Sequence, residues 1–268
     1  MEGENFSEDN FRKTVRRKTL RSFAWFFLFI CFSVFAWMWL HHEPEDEGAL
    51  KPLRTTLRMN EKIFSGVFSN SHLEPEYPKS AATSQVRVNG NYGMDSELDT
   101  ETWKLLVVRN ADLSPEVDTL SITLDEIKKL PKTEVVFNFK CIEGWSQVTW
   151  WGGVRFSDFA AHFHLGTKSG NPTDQNKKDD LFKYAGLRTP DGEYYVGIDM
   201  PSMMQPQTIL CYEMNGKPLP MDQGAPLRLI IPVKYGVKHL KRIGTLFFSD
   251  SQPPDFWYER GYDYYCGL

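Results

Sequence analysis

Two stretches of the chain carry residue types that point to chemistry. The first, Phe137-Asn-Phe-Lys-Cys-Ile-Glu-Gly-Trp-Ser146, ends an apolar run on a single thiol, Cys141. The second, Gly224-Ala-Pro-Leu-Arg-Leu-Ile-Ile-Pro-Val-Lys-Tyr-Gly-Val-Lys-His-Leu-Lys241, interleaves cations with glycine and proline. A thiolate suits a soft metal, and coordination deprotonates it outright. Backbone amides in compact turns, joined by Lys and Arg, suit phosphate. Together the two stretches suggest a metal carried on a phosphorylated cofactor. Each also has an ordinary reading. A lone cysteine is usually an inert buried residue, and a charge run is usually a solvated face.

The surrounding pattern indicates how these residues are held. Glu134–Phe139 reads as a strand that delivers Cys141 at its end, and Trp103–Val108 as another. Further strands are expected at Phe182–Arg188, Tyr194–Ile198, Thr208–Tyr212, Leu227–Pro232 and Gly244–Phe248. Thr123 followed three residues on by Glu126 is a helix-start signature, and Pro131 ends that helix. Ser157–His164 reads as a second short helix capped by Ser157. Gly166–Asp180 is a polar loop. Many strands, few helices and no regular βαβ alternation indicate a mixed α+β fold.

The two stretches, with Leu210-Cys-Tyr-Glu-Met-Asn-Gly-Lys-Pro-Leu-Pro220 and Trp257-Tyr-Glu-Arg-Gly-Tyr262, resemble the sulfite-oxidase family of molybdopterin enzymes in the family's own order. The resemblance spans roughly Val86 to Leu268 and implies that family's mixed-sheet molybdopterin-binding fold. It implies a molybdenum-molybdopterin cofactor with Cys141 as the protein's metal ligand. It places Arg228 and the His239-Leu240-Lys241 stretch at the pterin phosphate, with Lys234 and Lys238 in the same basic group; Arg242 reads as surface. Asn89, Asn91 and Tyr92 occupy the place of a pterin-touching loop, although Asn-Gly and Tyr-Gly also suit an ordinary turn. Thr189 matches a cofactor-contacting threonine, or simply starts a turn. Tyr194 matches a tyrosine that faces the metal's labile oxygen in relatives, where a phenol can donate a proton. Tyr195 would point to the other face of the strand. The tail aromatics Trp257, Tyr258, Tyr262, Tyr264 and Tyr265 read as core and rim packing.

The departures bear on substrate. Sulfite oxidases follow the metal cysteine with an Asn-Arg-Arg stretch that supplies cations, whereas this chain has Glu143-Gly-Trp-Ser146. That resembles the periplasmic methionine-sulfoxide-reductase branch. Gln223 stands where oxidases have His and reductases often Asn. No immunoglobulin-like dimerisation domain follows, so a monomer is expected. No CxxCH haem signature occurs. Electrons are then expected from a membrane haem or quinol-linked partner, or a soluble cytochrome. Oxygen-atom transfer on a sulfoxide, small or as protein methionine sulfoxide, is the leading expectation. Sulfite oxidation is the enzymatic alternative, and a non-catalytic extracytoplasmic binding module on the same fold is the alternative of another class. A pocket lined by Trp145, Trp150 or Trp151 favours the neutral sulfoxide.

Composition and charge fit this picture. The chain has 268 residues, 25% charged and 41% hydrophobic, with a formal net charge of −4. That balance is globular and argues against a nucleic-acid partner. Zinc-type Cys/His spacing is absent. A Cys211–Cys266 disulfide stays open at this level. Residues 1–21 form a basic tail, and 22–40 an uncharged run close to the roughly 20 residues that cross a bilayer as a helix. Arg12, Lys13, Arg16, Arg17, Lys18 and Arg21 precede it, and Glu43, Glu45, Asp46 and Glu47 follow. The positive-inside rule puts the N-terminus in the cytoplasm. No small-x-small cleavage site follows, so an uncleaved anchor is expected. Arg16-Arg17 resembles a twin-arginine export signal. The implied address is a bacterial inner membrane with the domain in the periplasm. Residues 41–85 read as a stalk, with a short helix near Met59–Phe68, and 86–268 as the oxidoreductase domain.

Overall fold

The computed structural model describes residues 2–67, 72–95, 98–112, 118–174 and 177–267. The chain divides into two compact units, Met1–Thr56 and Leu57–Leu268. In the first, α1 (Glu2–His42) leads into a small hairpin, β1 (Glu45–Asp46) and β2 (Ala49–Leu50); α2 (Lys51–Val67) begins there, and its residues from Leu57 on belong to the second. Among the described residues α1 is the one helix long and apolar enough to cross a membrane. Its Trp25, Phe27, Phe29 and Phe32 all lie at the surface. Helix α2 is far longer than the short helix expected near Met59–Phe68, of which Phe68 lies outside the described residues.

The second unit is built on two five-stranded sheets. Its elements are β3 (Lys104–Val108), β4 (Thr119–Thr123), α3 (Leu124–Lys128), β5 (Lys132–Lys140), β6 (Ser146–Arg155), α4 (Phe156–Phe163), β7 (Tyr184–Arg188), β8 (Tyr195–Asp199), α5 (Met200–Met203), β9 (Ile209–Met214), β10 (Lys217–Pro218), β11 (Arg228–Ile230) and β12 (Thr245–Ser249). One sheet runs β4-β3-β12-β7-β8; the other runs β10-β9-β6-β5, with β11 also on β9. The β12–β3 pair is parallel and the other described pairs are antiparallel. Mixed sheets with short helices are the expected α+β arrangement.

Local chemistry explains the elements. Thr123 accepts from the Glu126 backbone N–H while the Glu126 carboxylate accepts from the Thr123 N–H, so the capping box forms. Helix α4 starts one residue earlier than expected, with Arg155 at its N-cap and no side-chain cap bond; Ser157 is already inside the helix. The strand least visible in the sequence is β6. It pairs residue by residue with β5, Lys140 opposite Ser146 through Lys132 opposite Val154. Gly153 in it permits a close approach, since a Cβ there would stand 2.1 Å from the Leu210 carbonyl oxygen. Residues expected to be spacer are partly strapped to this sheet: Tyr77 N–H donates to the Val136 carbonyl and Thr83 N–H to that of Val148.

Two apolar clusters hold the unit. The larger gathers Leu105, Phe156, Phe159, Leu187, Leu246 and Phe248. The smaller, with Val135, Phe137, Phe139, Trp151, Ile209 and Ile230, backs the strands that lead to Cys141. Each such large side chain, fully buried, is worth about 1.5–3 kcal/mol, so β5 is fixed from beneath before its end reaches the cysteine. Cys211 and Cys266 are both free thiols, which closes the disulfide question.

Candidate functional site

Cys141 sits in the five-residue loop of the β5–β6 hairpin. Its N–H donates to the Trp145 carbonyl, and its own carbonyl accepts from Gly144 N–H, both at 3.0 Å. Gly144 takes a φ of 86° to close that turn, a conformation that costs a side-chain-bearing residue strain. The thiol is thus presented by rigid backbone. It lines a cavity of about 410 Å³, within the usual range for a small-molecule site. Burial pushes the Cys141 thiol up, and neighbouring backbone N–H groups only partly offset it.

The same cavity is lined by Asn89, Tyr92, Tyr194, Gln223, Arg228, His239 and Lys241. Asn89 Nδ2 lies 3.9 Å from Cys141 Sγ and donates to Glu143 Oε2 at 3.2 Å. Tyr194 donates its hydroxyl proton to the Val237 carbonyl at 2.6 Å, and burial pushes its phenol strongly up. Tyr195 turns the other way and donates to Glu259, as strand alternation requires. Tyr92 packs on Phe256 at 4.8 Å between ring centroids.

The cations divide. The Arg228 guanidinium is buried against the Trp151 ring at 4.6 Å. Its Nη1 donates to the backbone and side-chain oxygens of Gln223 and its Nη2 to the His239 carbonyl, while Nε has no hydrogen-bond partner. Burial lowers it to about 10. Lys241 Nζ donates to the Gly90 and Asp222 carbonyls at 2.9 and 3.1 Å, which leaves one of its three N–H groups for an anion. Burial first, then Arg228, lowers it to about 8. Among the described residues neither has a carboxylate within 4.0 Å. Gly224, at φ 102°, lets this loop close: a Cβ there would stand 2.8 Å from Lys241 Cβ.

Lys234 and Lys238 do not line the cavity. Lys234 pairs with Asp199 at 2.7 Å and Lys238 with Asp255 at 2.5 Å, both fully buried. Leu240 is a core side chain whose carbonyl accepts from Leu229 N–H. Thr189 is buried and bonds Asp191 and Tyr194 around a turn, and Asn91 is exposed with its carbonyl on Met94 N–H. Arg242, expected at the surface, is buried instead and donates to the Met94 carbonyl at 2.9 Å. His239 lines the cavity but is neutral, lowered to about 3 by burial and Arg228. Its Nδ1 accepts from Ile231 N–H and its Nε2 donates to the Lys234 carbonyl, so both nitrogens are committed to backbone.

Other lining residues escaped the sequence reading. Arg87 places its guanidinium 4.9 Å from the Trp145 ring, and nothing in its short stretch distinguishes it from any exposed arginine. Trp257 and Tyr262, expected as packing, line the cavity too. Of the tryptophans weighed, Trp145 and Trp151 line it, while Trp150 faces away toward Gly216 and Lys79. The period of two along a strand would have separated Trp150 from Trp151, had β6 been recognised.

A buried guanidinium with an unpartnered N–H, a second cation with a spare donor and a thiol on the same cavity form a donor set suited to an anionic, metal-bearing group. A model of the oxidoreductase molybdopterin binding domain matches residues 92–257. The chain belongs to this family. As a member it is a molybdenum-dependent oxidoreductase of the sulfite-oxidase type, with molybdenum-molybdopterin as its cofactor. It is 32% identical over 225 residues to a protein of Azospira oryzae provisionally named protein-methionine-sulfoxide reductase subunit YedZ1, covering 83% of this chain and 79% of that one. It is 33% identical to the protein-methionine-sulfoxide reductase catalytic subunits MsrP of Xanthomonas axonopodis pv. citri and Campylobacter jejuni, over 52% and 59% of this chain. The matched parts span 44% and 53% of those two proteins, about half their length. Among solved structures it is similar to the sulfane dehydrogenase SoxCD of Paracoccus pantotrophus, at 17% identity and a TM-score of 0.46, over 68% of this chain and 46% of that one. A likeness at that level carries no functional weight. Within this molybdopterin oxidoreductase, Asn89 and Asn91 lie just before the matched residues, and Cys141, Tyr194, Arg228 and Lys241 lie inside them.

Proposed function

We propose that the chain is a membrane-anchored molybdopterin enzyme that reduces a neutral sulfoxide, of the protein methionine sulfoxide type, on the periplasmic side of a bacterial inner membrane. The observation that carries this reading is the cavity itself, where Cys141 shares walls with Arg228 and Lys241 while the mouth is aromatic. Cys141 would hold the metal, and Arg228 and Lys241 the phosphate. Bound there, the molybdenum cofactor supplies two-electron oxygen-atom transfer. The net reaction is sulfoxide plus two electrons and two protons, giving sulfide and water.

The protein's own groups set the conditions for that reaction. Asn89 and Trp145 both donate to Glu143 Oε2, which holds an anionic carboxylate beside the thiol. Those bonds keep the Glu143 carboxyl below its usual range. A fixed negative charge at the mouth opposes an anion such as sulfite, whereas Trp145, Trp257 and Tyr262 offer apolar walls to a neutral thioether-like group. Gln223 ties the loop at Val86 and Arg87 to Arg228, so it positions both sides of the cavity. Tyr194 holds a proton whose acceptor is the Val237 carbonyl, and rotation of that hydroxyl would offer it to the cavity. Arg87 on the cavity wall favours the sulfite alternative, but Glu143 beside it offsets its charge. Electrons would come from a separate membrane haem or quinol-linked partner, or a soluble cytochrome. Helix α1, with its basic tail before and acidic residues after the apolar run, supports the anchor and its orientation.

The test is the metal and pterin content of the full chain, made in a molybdopterin-competent host, beside Cys141→Ser. The expected result is one molybdenum per parent chain, a resonance signal altered or lost in the variant, and reduction of methyl sulfoxides without oxidation of sulfite. A parent free of molybdenum would promote the binding-module alternative.

A further inference from the structure

One wall of the cavity is held differently from the others. Phe139, Thr149 and Trp151 lie on β5 and β6, whose backbones pair residue by residue. The wall at 236–241 is closed by backbone turns, with Lys238 N–H on the Tyr235 carbonyl and His239 N–H on that of Gly236. Residues 84–92 give Val86, Arg87, Asn89, Gly90 and Tyr92 to the same cavity, yet they lie in no strand or helix. Among the described residues no backbone–backbone hydrogen bond ties this segment to the rest of the domain. Its one such bond, Met94 N–H to the Asn91 carbonyl, is a local turn. Side chains hold it instead. Gln147 Oε1 accepts from the Arg87 N–H at 2.9 Å. Gln223 Nε2 donates to the Val86 and Arg87 carbonyls at 3.2 and 3.4 Å, and Lys241 Nζ to the Gly90 carbonyl at 2.9 Å. The outer side faces solvent, with Val88 and Tyr92 50% and 55% exposed. A segment with few buried contacts and no ladder opens at a fraction of the cost of global unfolding.

The groups that catch this segment also serve the cavity. Lys241 keeps a third N–H for an anion after serving Gly90 and Asp222. Gln223 grips the segment with Nε2 while its Oε1 accepts from Arg228 Nη1 at 3.1 Å. At the other end of the cavity, Asn89 Nδ2 reaches to 3.9 Å from Cys141 Sγ. Closing the segment therefore fixes Gln223 and, through it, Arg228. An anion held by Arg228 and Lys241 fixes the catches in turn. Each event favours the other, and that coupling is reciprocal. We propose that residues 84–92 form a strap that opens to admit the molybdenum cofactor and closes over it, with Gln147, Gln223 and Lys241 as its catches. This goes beyond the catalytic proposal and rests on one part of it, the reading of the cavity as the cofactor site.

The experiment is native-state trypsin digestion of the full chain in detergent, loaded in a molybdopterin-competent host or made cofactor-free in a deficient one. Arg87 is the one basic residue of the strap, and cutting after it needs the segment to leave the wall. Initial rates are read by mass spectrometry. Exposed Lys177, which does not line the cavity, is the internal reference, and Lys132 in the β5–β6 ladder reports global unfolding. The expected rate after Arg87 is at least about tenfold higher in the cofactor-free chain, with Lys132 uncut in both. Gln147→Leu, which removes one catch, should raise the cofactor-free rate a further two- to tenfold or about that, the worth of one hydrogen bond. Equal rates after Arg87 in the two states, slow or fast, would overturn the inference, since the wall would then be rigid or never closed. Cutting at Lys132 as fast as at Arg87 would overturn it too, because the whole wall would melt together. Cys141→Ser, loaded in parallel, separates the two readings. A resonance signal altered in that variant, with no protection of Arg87 in the parent, would sink the strap alone. An unaltered signal would remove the cavity as the cofactor site and the strap with it.

Discussion

The basic segment 224–242 sends its cations to two different fates. Lys234 and Lys238 are sealed beneath the cavity, each on its own aspartate. Arg228 and Lys241 come from the same segment and reach the cavity with backbone and amide oxygens for company. The difference is one of compensation. A buried ion pair with satisfied hydrogen bonds is finished and wants no ligand. A buried cation facing only neutral oxygens has lost its water without gaining a counter-charge, and an anion relieves it. The paired lysines hold the segment's shape; the cavity cations give that shape a use.

The largest effect should come from breaking the finished side. Lys238→Met leaves the Asp255 carboxylate in the core with only the Gly197 and Tyr258 N–H groups. The expected loss is about 3–5 kcal/mol of unfolding free energy, measurable by denaturant titration. Molybdenum per folded chain should stay near the parent's. Arg228→Met should do the reverse. Replacing the guanidinium removes an uncompensated buried charge but orphans the Gln223 and His239 oxygens it serves, so the folding cost should be smaller than that of Lys238→Met, while cofactor retention should fall by tenfold or more, since about 1.5–3 kcal/mol rides on each charged hydrogen bond. If Arg228→Met kept its cofactor and Lys238→Met lost it, the division between the two sets would be wrong. A smaller effect is expected at Glu143→Gln. Removing the mouth's negative charge should improve sulfite as a competing ligand severalfold, read as a lower inhibition constant against a methyl sulfoxide, with sulfoxide kcat changed less.

Much of this was legible before the fold was known, and the gaps have physical causes. Strand and helix positions followed from alternation and from the Thr123–Glu126 box because those signals are local. Cys141 and the anion-suited segment announced themselves by residue type. Which cations face the cavity did not, because Asp199 and Asp255 lie far from Lys234 and Lys238 in sequence and only the fold brings them together. The same holds for Arg87, which enters the wall through contact with Trp145. Strand β6 is not among the strands expected from the sequence, and its Gly152-Gly153 pair serves a close approach to β9 that only the sheet reveals.

The finest test of the comparison is pH. Lys241 stands at about 8, below the ordinary lysine value near 10.5, because burial and Arg228 outweigh the help of Asp222. The ammonium form is the one that serves an anion, so cofactor affinity should fall as pH rises from 7 to 9, by up to about tenfold. Folding has the opposite sign. Between about 8 and 10.5 the native apo-protein binds fewer protons at Lys241 than the unfolded chain does, so its stability rises with pH across that window. Lys234, lowered to about 8 as well, adds to the rise in stability but not to the loss of affinity. Lys241→Met should therefore flatten the affinity profile at a lower level while keeping the share of the stability slope that Lys234 supplies. An affinity profile that stays steep in Lys241→Met would move the anion contact to another group and remove Lys241 from the cavity set.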